Sequence, residues 1–332
     1  MTKRVNAKRA TVGASSTGSR SLFHYTSAKG LIGILGTQSL FATHADFLND
    51  SSECRLLREV LAPRLIEEFK ELAPKLIGAK FMKEPETKAY LAGASEEFSS
   101  SVINTMVKTI NRLSPIYITS FCVHADGTTD HANGLLSQWR AYANGGFAVE
   151  FDEDGLDQIK AKEVNKYRYK GILTNRVWYD HHEEKAELHR FKGIVAAALK
   201  VHFRHHGKDA SEVLGRGELV DFVNHFVEVM PFLKPEGFCE EREYRMVALA
   251  YRRGPSVALK SPLRDIQFRA SENGAVVPYI GVFDKSKLKL PIKSILIGPH
   301  PNQDNQHTAV ELLLDQYGVH AEVRRSKLSL RP

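Results

Sequence analysis

Glu241-Arg242-Glu243-Tyr244-Arg245-Met246-Val247-Ala248-Leu249-Ala250 opens on charge and closes on five uncharged residues. Its short apolar half, flanked by polar segments, reads as a strand over residues 243–250. Alternation along that strand places Glu241, Glu243 and Arg245 on one face, with the carboxylates about 6 to 7 Å apart. Working outward, short β-branched or aromatic runs predict further strands at residues 21–26, 116–123, 147–151, 164–169, 266–268, 276–280 and 292–297. Ser27 caps a helix through Leu31, Ile32, Ile34 and Leu35 that Gly36 ends. Longer helical patterns fill residues 53–76, 86–113, 178–206 and 214–229, with shorter ones at 134–143 and 308–317, while residues 124–133 read as a loop. Helices grouped apart from short strands, instead of alternating with them, predict an α+β fold: one domain of mixed or antiparallel short-strand sheets packed with helices.

The composition agrees. Among 332 residues, 42% are hydrophobic and 26% charged, enough apolar surface for a sizeable core. No apolar stretch approaches the roughly 20 residues that span a bilayer, and the start carries no apolar leader, so a soluble, cytoplasmic protein without a membrane partner is expected. Cys54, Cys122 and Cys239 lie far apart, which indicates neither a disulfide framework nor a cysteine-rich zinc site.

The net charge of +7 is concentrated at the ends. Lys3, Arg4, Lys8, Arg9 and Arg20 lie in residues 1–20, and Arg324, Arg325, Lys327 and Arg331 in residues 324–332, neither segment holding an acid. Removing these nine charges leaves −2 for residues 21–323. The expected organisation is a disordered basic tail over 1–20, a single α+β domain over 21–323 and a basic C-terminal tail over 324–332. Such tails can contact phosphate non-specifically by releasing counterions.

Several residues have both a chemical and a structural reading. Two acids spaced like Glu241 and Glu243 can stabilise a cationic sugar transition state and carry a proton. The plainer account is an edge strand whose charges face water, and spacing alone favours it. His24, between Phe23 and Tyr25, can bond a ligand hydroxyl or serve as a satisfied structural histidine. Trp139 and Tyr142 share a helical face that suits core packing. His202 and His206 stand at i, i+4, but no accompanying HExxH glutamate supports a metal, and neither His181, His182, His189 nor His205 supplies one. Ser120 lies in an apolar strand, outside any GxSxG turn.

Taken in order, these segments resemble the bacterial family named domain of unknown function 2971. The resemblance is carried by Phe23-His24-Tyr25-Thr26 with its following helix, Asn49-Asp50-Ser51-Ser52-Glu53, Ser120-Phe121, Trp139-Arg140-Ala141-Tyr142-Ala143, Gly146-Phe147-Ala148-Val149-Glu150-Phe151, Phe238-Cys239-Glu240-Glu241-Arg242-Glu243-Tyr244-Arg245 and Ile295-Leu296-Ile297-Gly298-Pro299. It spans roughly residues 22–320, and Phe238 departs from the family's usual Trp.

The opening His-Tyr-Thr strand, the central Ser strand and the late Glu-x-Glu are similar in order to the three site motifs of ADP-ribosyltransferases. That similarity implies a split sheet, NAD as the consumed substrate, no metal, and an acceptor that is a protein or nucleic acid. It implies His24, with Tyr25 and Thr26, holding the ribose or the nicotinamide amide, and Ser120 on the nicotinamide side. Tyr142 and Arg245 complete the NAD-binding set. Glu243 would bind the ribose 2′-hydroxyl and stabilise the oxocarbenium, and Glu241 would orient the acceptor. The implied setting is bacterial stress, toxin or phage defence. The alternatives are a non-catalytic ligand- or nucleic-acid-binding module whose basic tails make the contacts, and a metal-assisted nuclease or hydrolase using His202 and His206.

Overall fold

A single strand, β3 (Ile116–Val123), organises the sheet. The computed structural model describes residues 20–48, 62–63, 65–71, 73, 85–113, 115–143, 146–179, 227–251, 261–271, 274–284 and 288–329. One edge of β3 pairs with β6 (Glu243–Ala250) throughout, from Ile116↔Leu249 to Cys122↔Glu243. Its other edge is shared. Tyr117 and Ile118 pair with β2 (Leu40–His44), and Cys122 and Val123 pair with β1 (Ser21–Thr26). Between them, Thr119, Ser120 and Phe121 have no partner strand on that edge among the described residues. The sheet therefore forks at the middle of β3.

Beyond β1 follow β4 (Phe147–Asp152), β9 (Ile292–Ile297) and β10 (Glu322–Arg325). Beyond β2 follow β8 (Val276–Val282) and β7 (Gln267–Ala270), while β5 (Tyr169–Arg176) lies outside β6. Among the described strands only the β9–β10 pairing is parallel, so the sheet is mixed and the fold is α+β, as expected.

The helices cover both faces. The long helix α2 (Pro85–Leu113) brings Phe98, Val102, Ile103 and Ile110 against Ile116, Ile118, Val247 and Leu249. On the opposite face, α1 (Ala28–Thr37), α4 (Glu153–Lys166) and α5 (Gln303–Tyr317) bury Leu31, Ile159 and Leu314 with Tyr117, Met246 and Ala248. Ser27 caps α1 by accepting from Gly30 N, as its sequence predicts. The period-2 alternation of β3 and β6 thus assigns residues 116, 118, 247 and 249 to one core and residues 117, 246 and 248 to the other. Continued along the first face, it carries Ser120, Cys122, Arg245 and Glu243 past the end of the apolar patch.

Several expectations are overturned. Residues 164–166 close α4 instead of opening a strand, because Asp152 caps a helix that buries Leu156 and Ile159 and extends through them. The expected loop at 124–133 contains α3 (Thr129–Asn133), capped by Thr128. β2, β5 and β10 were not predicted as strands. Arg324 and Arg325 belong to β10 and not to a solvated tail, since Arg324 bonds the buried Glu150. The charged run 241–245 is no water-facing edge: β6 has a strand on each side, and Glu241, Glu243 and Arg245 are 8%, 5% and 2% exposed. The expected helices at 178–206 and 214–229 fall largely outside the described residues, as do residues 1–19 and 49–53.

Candidate active site

A cleft of about 190 Å³ opens in the fork, walled by β1 on one side, β2 on the other and the unpaired stretch of β3 between them. His24, Tyr25, Ser120, Glu241, Glu243 and Arg245 all line it. Residues separated by more than two hundred positions meet because both β1 and β6 border β3.

The inner end is charged and nearly dry. Arg245 grips Glu243 with two donors, Nε to Oε1 at 2.7 Å and Nη2 to Oε2 at 3.1 Å, and a third, Nη1, reaches the Pro231 carbonyl at 2.7 Å. Lys234, 3% exposed, bridges the acids with Nζ 2.7 Å from Glu241 Oε2 and 3.1 Å from Glu243 Oε2. Two cations against two carboxylates make the cluster electroneutral, which lets it be buried. Its geometry depends on a local twist. Glu241 ends the 3-10 turn Glu236–Glu241, and Arg242 then takes the left-handed conformation at φ 45° before β6 begins. That twist, not strand alternation, turns both acids onto one lysine; Glu241 is not part of the strand. Asp130 accepts from Arg242 Nη2 at 2.5 Å, anchoring the turn to α3.

The acids are driven apart in acidity. Burial pushes the Glu243 carboxyl upward, but Arg245, Lys234 and the Ser120 hydroxyl together outweigh it and hold the group at about 2. For Glu241, burial prevails over Lys234 and the carboxyl stays above its ordinary value. One carboxylate is therefore a fixed anion and the other takes a proton more readily than usual, a division that suits acid–base work.

His24 faces this cluster across the fork. Its Nδ1 lies 2.9 Å from the Ser120 carbonyl, which can only accept, so Nδ1 carries the proton and Nε2 is left as an acceptor. Burial lowers its pKa, so the ring is neutral near pH 7. The imidazole occupies a position on β3 where a strand partner would otherwise bond. Tyr25 is fixed behind it: its hydroxyl accepts from Leu135 N at 2.8 Å and lies 2.9 Å from His124 Nε2, and its ring meets Trp139 edge-on at 4.8 Å.

The outer end differs. Arg269 of β7 reaches Thr43 Oγ1 at 3.3 Å, and Phe41 packs on Tyr279 with ring centroids 4.3 Å apart. Phe41 and Phe47 line this end while remaining 42% and 45% exposed, an aromatic shelf beside a guanidinium.

Two expected residues stand apart. Thr26 is not among the cleft's lining residues; its hydroxyl sits over α1, where a Cβ on Gly30 would come within 1.9 Å of it. The side chain of Tyr142 lies outside the described residues, as do the histidines at 181, 182, 189, 202, 205 and 206. Among the described residues no group of three His, Cys, Asp or Glu side chains is placed to hold a metal ion. The Cys122 thiol is raised in pKa by burial and by Glu243 and Glu241, which makes it an inert packing group. Sequence reasoning missed Lys234, Arg269, Thr43 and Gln138. Lys234 follows an apolar run and Gln138 precedes the noted Trp139, so their neighbours gave the only signal.

Residues 138–246 match the model of the family described as Protein of unknown function (DUF2971). This bears out the family resemblance over a span that contains β4, β5, the first half of β6 and the charged end of the cleft. No curated protein and no solved structure matches the chain. Among the described residues no helix is long and apolar enough to cross a membrane.

Proposed function

We propose that the chain is an NAD-consuming enzyme of mono-ADP-ribosyltransferase type, with the cleft in the fork as its active site. The observation that carries this reading is the meeting of His24, Ser120 and Glu243 around one cavity. Breaking the bond between nicotinamide and ribose builds positive charge on the sugar, and a fixed anion lowers that barrier to the extent that it binds the transition state better than the ground state. Glu243 is such an anion. In the free protein Lys234 and Arg245 neutralise it, so the reading requires a ribose hydroxyl to take over the place of Lys234 at Oε2. His24 Nε2 is the acceptor available to a second hydroxyl, and Glu241 the group suited to receive the acceptor's proton. The aromatic shelf and Arg269 offer a base a stacking surface and a phosphate a cation.

The rival is a binding module in which the Glu243–Arg245 pair only holds β6 in place; the two-donor grip on Glu243 favours it. Incubation with NAD labelled in the nicotinamide ring separates the two. The enzyme releases free nicotinamide, and Glu243→Gln lowers that rate by about 100- to 1,000-fold, the scale for losing one preorganised electrostatic group. Absence of release from the unsubstituted protein, in the presence of cell lysate as acceptor, supports the binding module.

A further inference from the structure

Gln138 is 4% exposed, is one of the residues lining the cleft, and leaves its side-chain Nε2 without a hydrogen-bond partner among the described residues. A buried amide donor left unmet is costly, and proteins retain few of them. Nothing about this one is loose. Gln138 ends the turn Leu136–Gln138 and passes directly into the π-helical turn Trp139–Ala143, a rare widening often found at functional sites. Trp139, fully buried, anchors the next position: its Nε1 donates to the Asn133 carbonyl at 3.0 Å, and its backbone N to that of Leu135 at 3.0 Å. Gly134, at φ +73°, makes room for the indole, since a Cβ there would lie 2.6 Å from the ring. The neighbouring Trp139 and the turn before it are thus pinned around a side chain whose Nε2 is unmet among the described residues.

We infer that Gln138 is a specificity residue that reads a planar carboxamide on the bound ligand. A primary amide offers one donor and one acceptor in a plane, and a second primary amide is its self-complement, forming two antiparallel N–H···O bonds. A carboxylate in the same place would satisfy the donor but oppose the glutamine oxygen. On the reading of the cleft as an NAD site, on which this rests, Gln138 distinguishes the nicotinamide head group from its acid counterpart. Sites that hydrogen-bond a polar group reject analogues lacking it strongly, because the buried partner is then stranded.

The test measures binding of NAD and of its nicotinic acid analogue by calorimetry, together with the melting temperature of the free protein. The unsubstituted chain should prefer the amide by at least about tenfold. Gln138→Leu should bring that ratio to about one while its melting temperature stays level or rises, since an unmet donor has been removed. Gln138→Met, which fills the same space with a flexible chain, should behave alike and serves if the leucine variant folds poorly. A preference retained in both variants overturns the inference and leaves the NAD reading intact. A melting temperature that falls in both variants without ligand likewise overturns it, because the amide would then be bonded within the protein. Binding of neither dinucleotide by the unsubstituted chain overturns the NAD reading and the inference together.

Discussion

Glu163 and Glu243 are two carboxylates buried to 4% and 5% exposure, each held by an arginine through two donors. Arg264 donates to Glu163 from Nε at 2.7 Å and Nη2 at 2.5 Å, Tyr169 adds its hydroxyl at 2.6 Å, and Phe283 its backbone N at 3.3 Å. Phe283 even sits at φ 73°, a conformation that bulky residues rarely adopt. By burial, ion pairing and backbone strain, the Glu163 cluster looks as functional as the Glu243 cluster. It lies outside the cleft in the fork: it ties α4 to β5, to Arg264 and, through Asp284, to the end of β8. Burial of charge and strain thus mark over-determined structure in general. What sets Glu243 apart is the unpaired edge of β3 beside it, which leaves room for a ligand.

Substitutions should sharpen that contrast. The largest effect expected is at the sealed cluster. Glu163→Ala takes two acceptors from Arg264, leaving it Asp284, and strands the buried Tyr169 hydroxyl, and should cost about 3–5 kcal/mol in urea unfolding, the scale for breaking a buried pair. Glu243→Gln, after which Lys234 retains Glu241, Arg245 retains the Pro231 carbonyl and the cleft admits water, should cost about 1–3 kcal/mol. Equal losses at both positions would mean that the fork is as closed as the sealed cluster.

Acidity gives the next effect. The folded pKa of Glu243, about 2, lies below its ordinary 4.5, so its contribution is complete above pH 4.5 and disappears as pH falls from there toward 2. A shift of that size is worth about 3 kcal/mol. His124, lowered by burial to about 4, begins the decline sooner, since its stabilisation is lost as pH drops from 6.5 toward 4. Glu241, raised by burial, works the other way: its penalty is relieved as pH falls through its folded pKa to 4.5, which offsets part of the His124 loss and none of the Glu243 loss. A plot of unfolding free energy against pH should therefore bend near 6.5 and steepen below 4.5, and Glu243→Gln should remove much of the lower limb.

The smallest effects belong to the C-terminal strand. Arg325 meets Asp304 where both are well exposed, and Arg325→Ala should change stability by no more than about 0.5 kcal/mol. Its neighbour Arg324 bonds buried Glu150 at 2.7 Å, so Arg324→Ala should cost about 1–3 kcal/mol in the same assay. Similar values for the two would show that β10 is held by its backbone pairing with β9 alone.

Much of the local structure was readable in the chain. The strands at 21–26, 116–123 and 292–297 and the capped helix α1 match their predicted segments, because each combines a dense apolar pattern with a clear stop. The strands β2, β5 and β10 escaped notice for a shared reason: Phe41, most of β5 and Glu322 stay partly or well exposed, so no apolar period announces them. Pairing with β8, β6 and β9 makes them strands.

The candidate site divides in the same way. Sequence alone singled out the acids and His24 as chemically able residues, the resemblance added Ser120, and the order of short motifs gave a family resemblance that the match over residues 138–246 bears out. It misjudged the setting of residues 241–245, since a run of charges is usually solvated and only a partner strand on each side of β6 reveals otherwise. Which edge of β3 stays open is decided by pairings between strands far apart in the chain, and which lysine lies between two glutamates by a turn of under ten residues whose shape no periodicity reports. Side-chain periodicity reports only whether a segment has a buried face; what it is buried against depends on the tertiary fold.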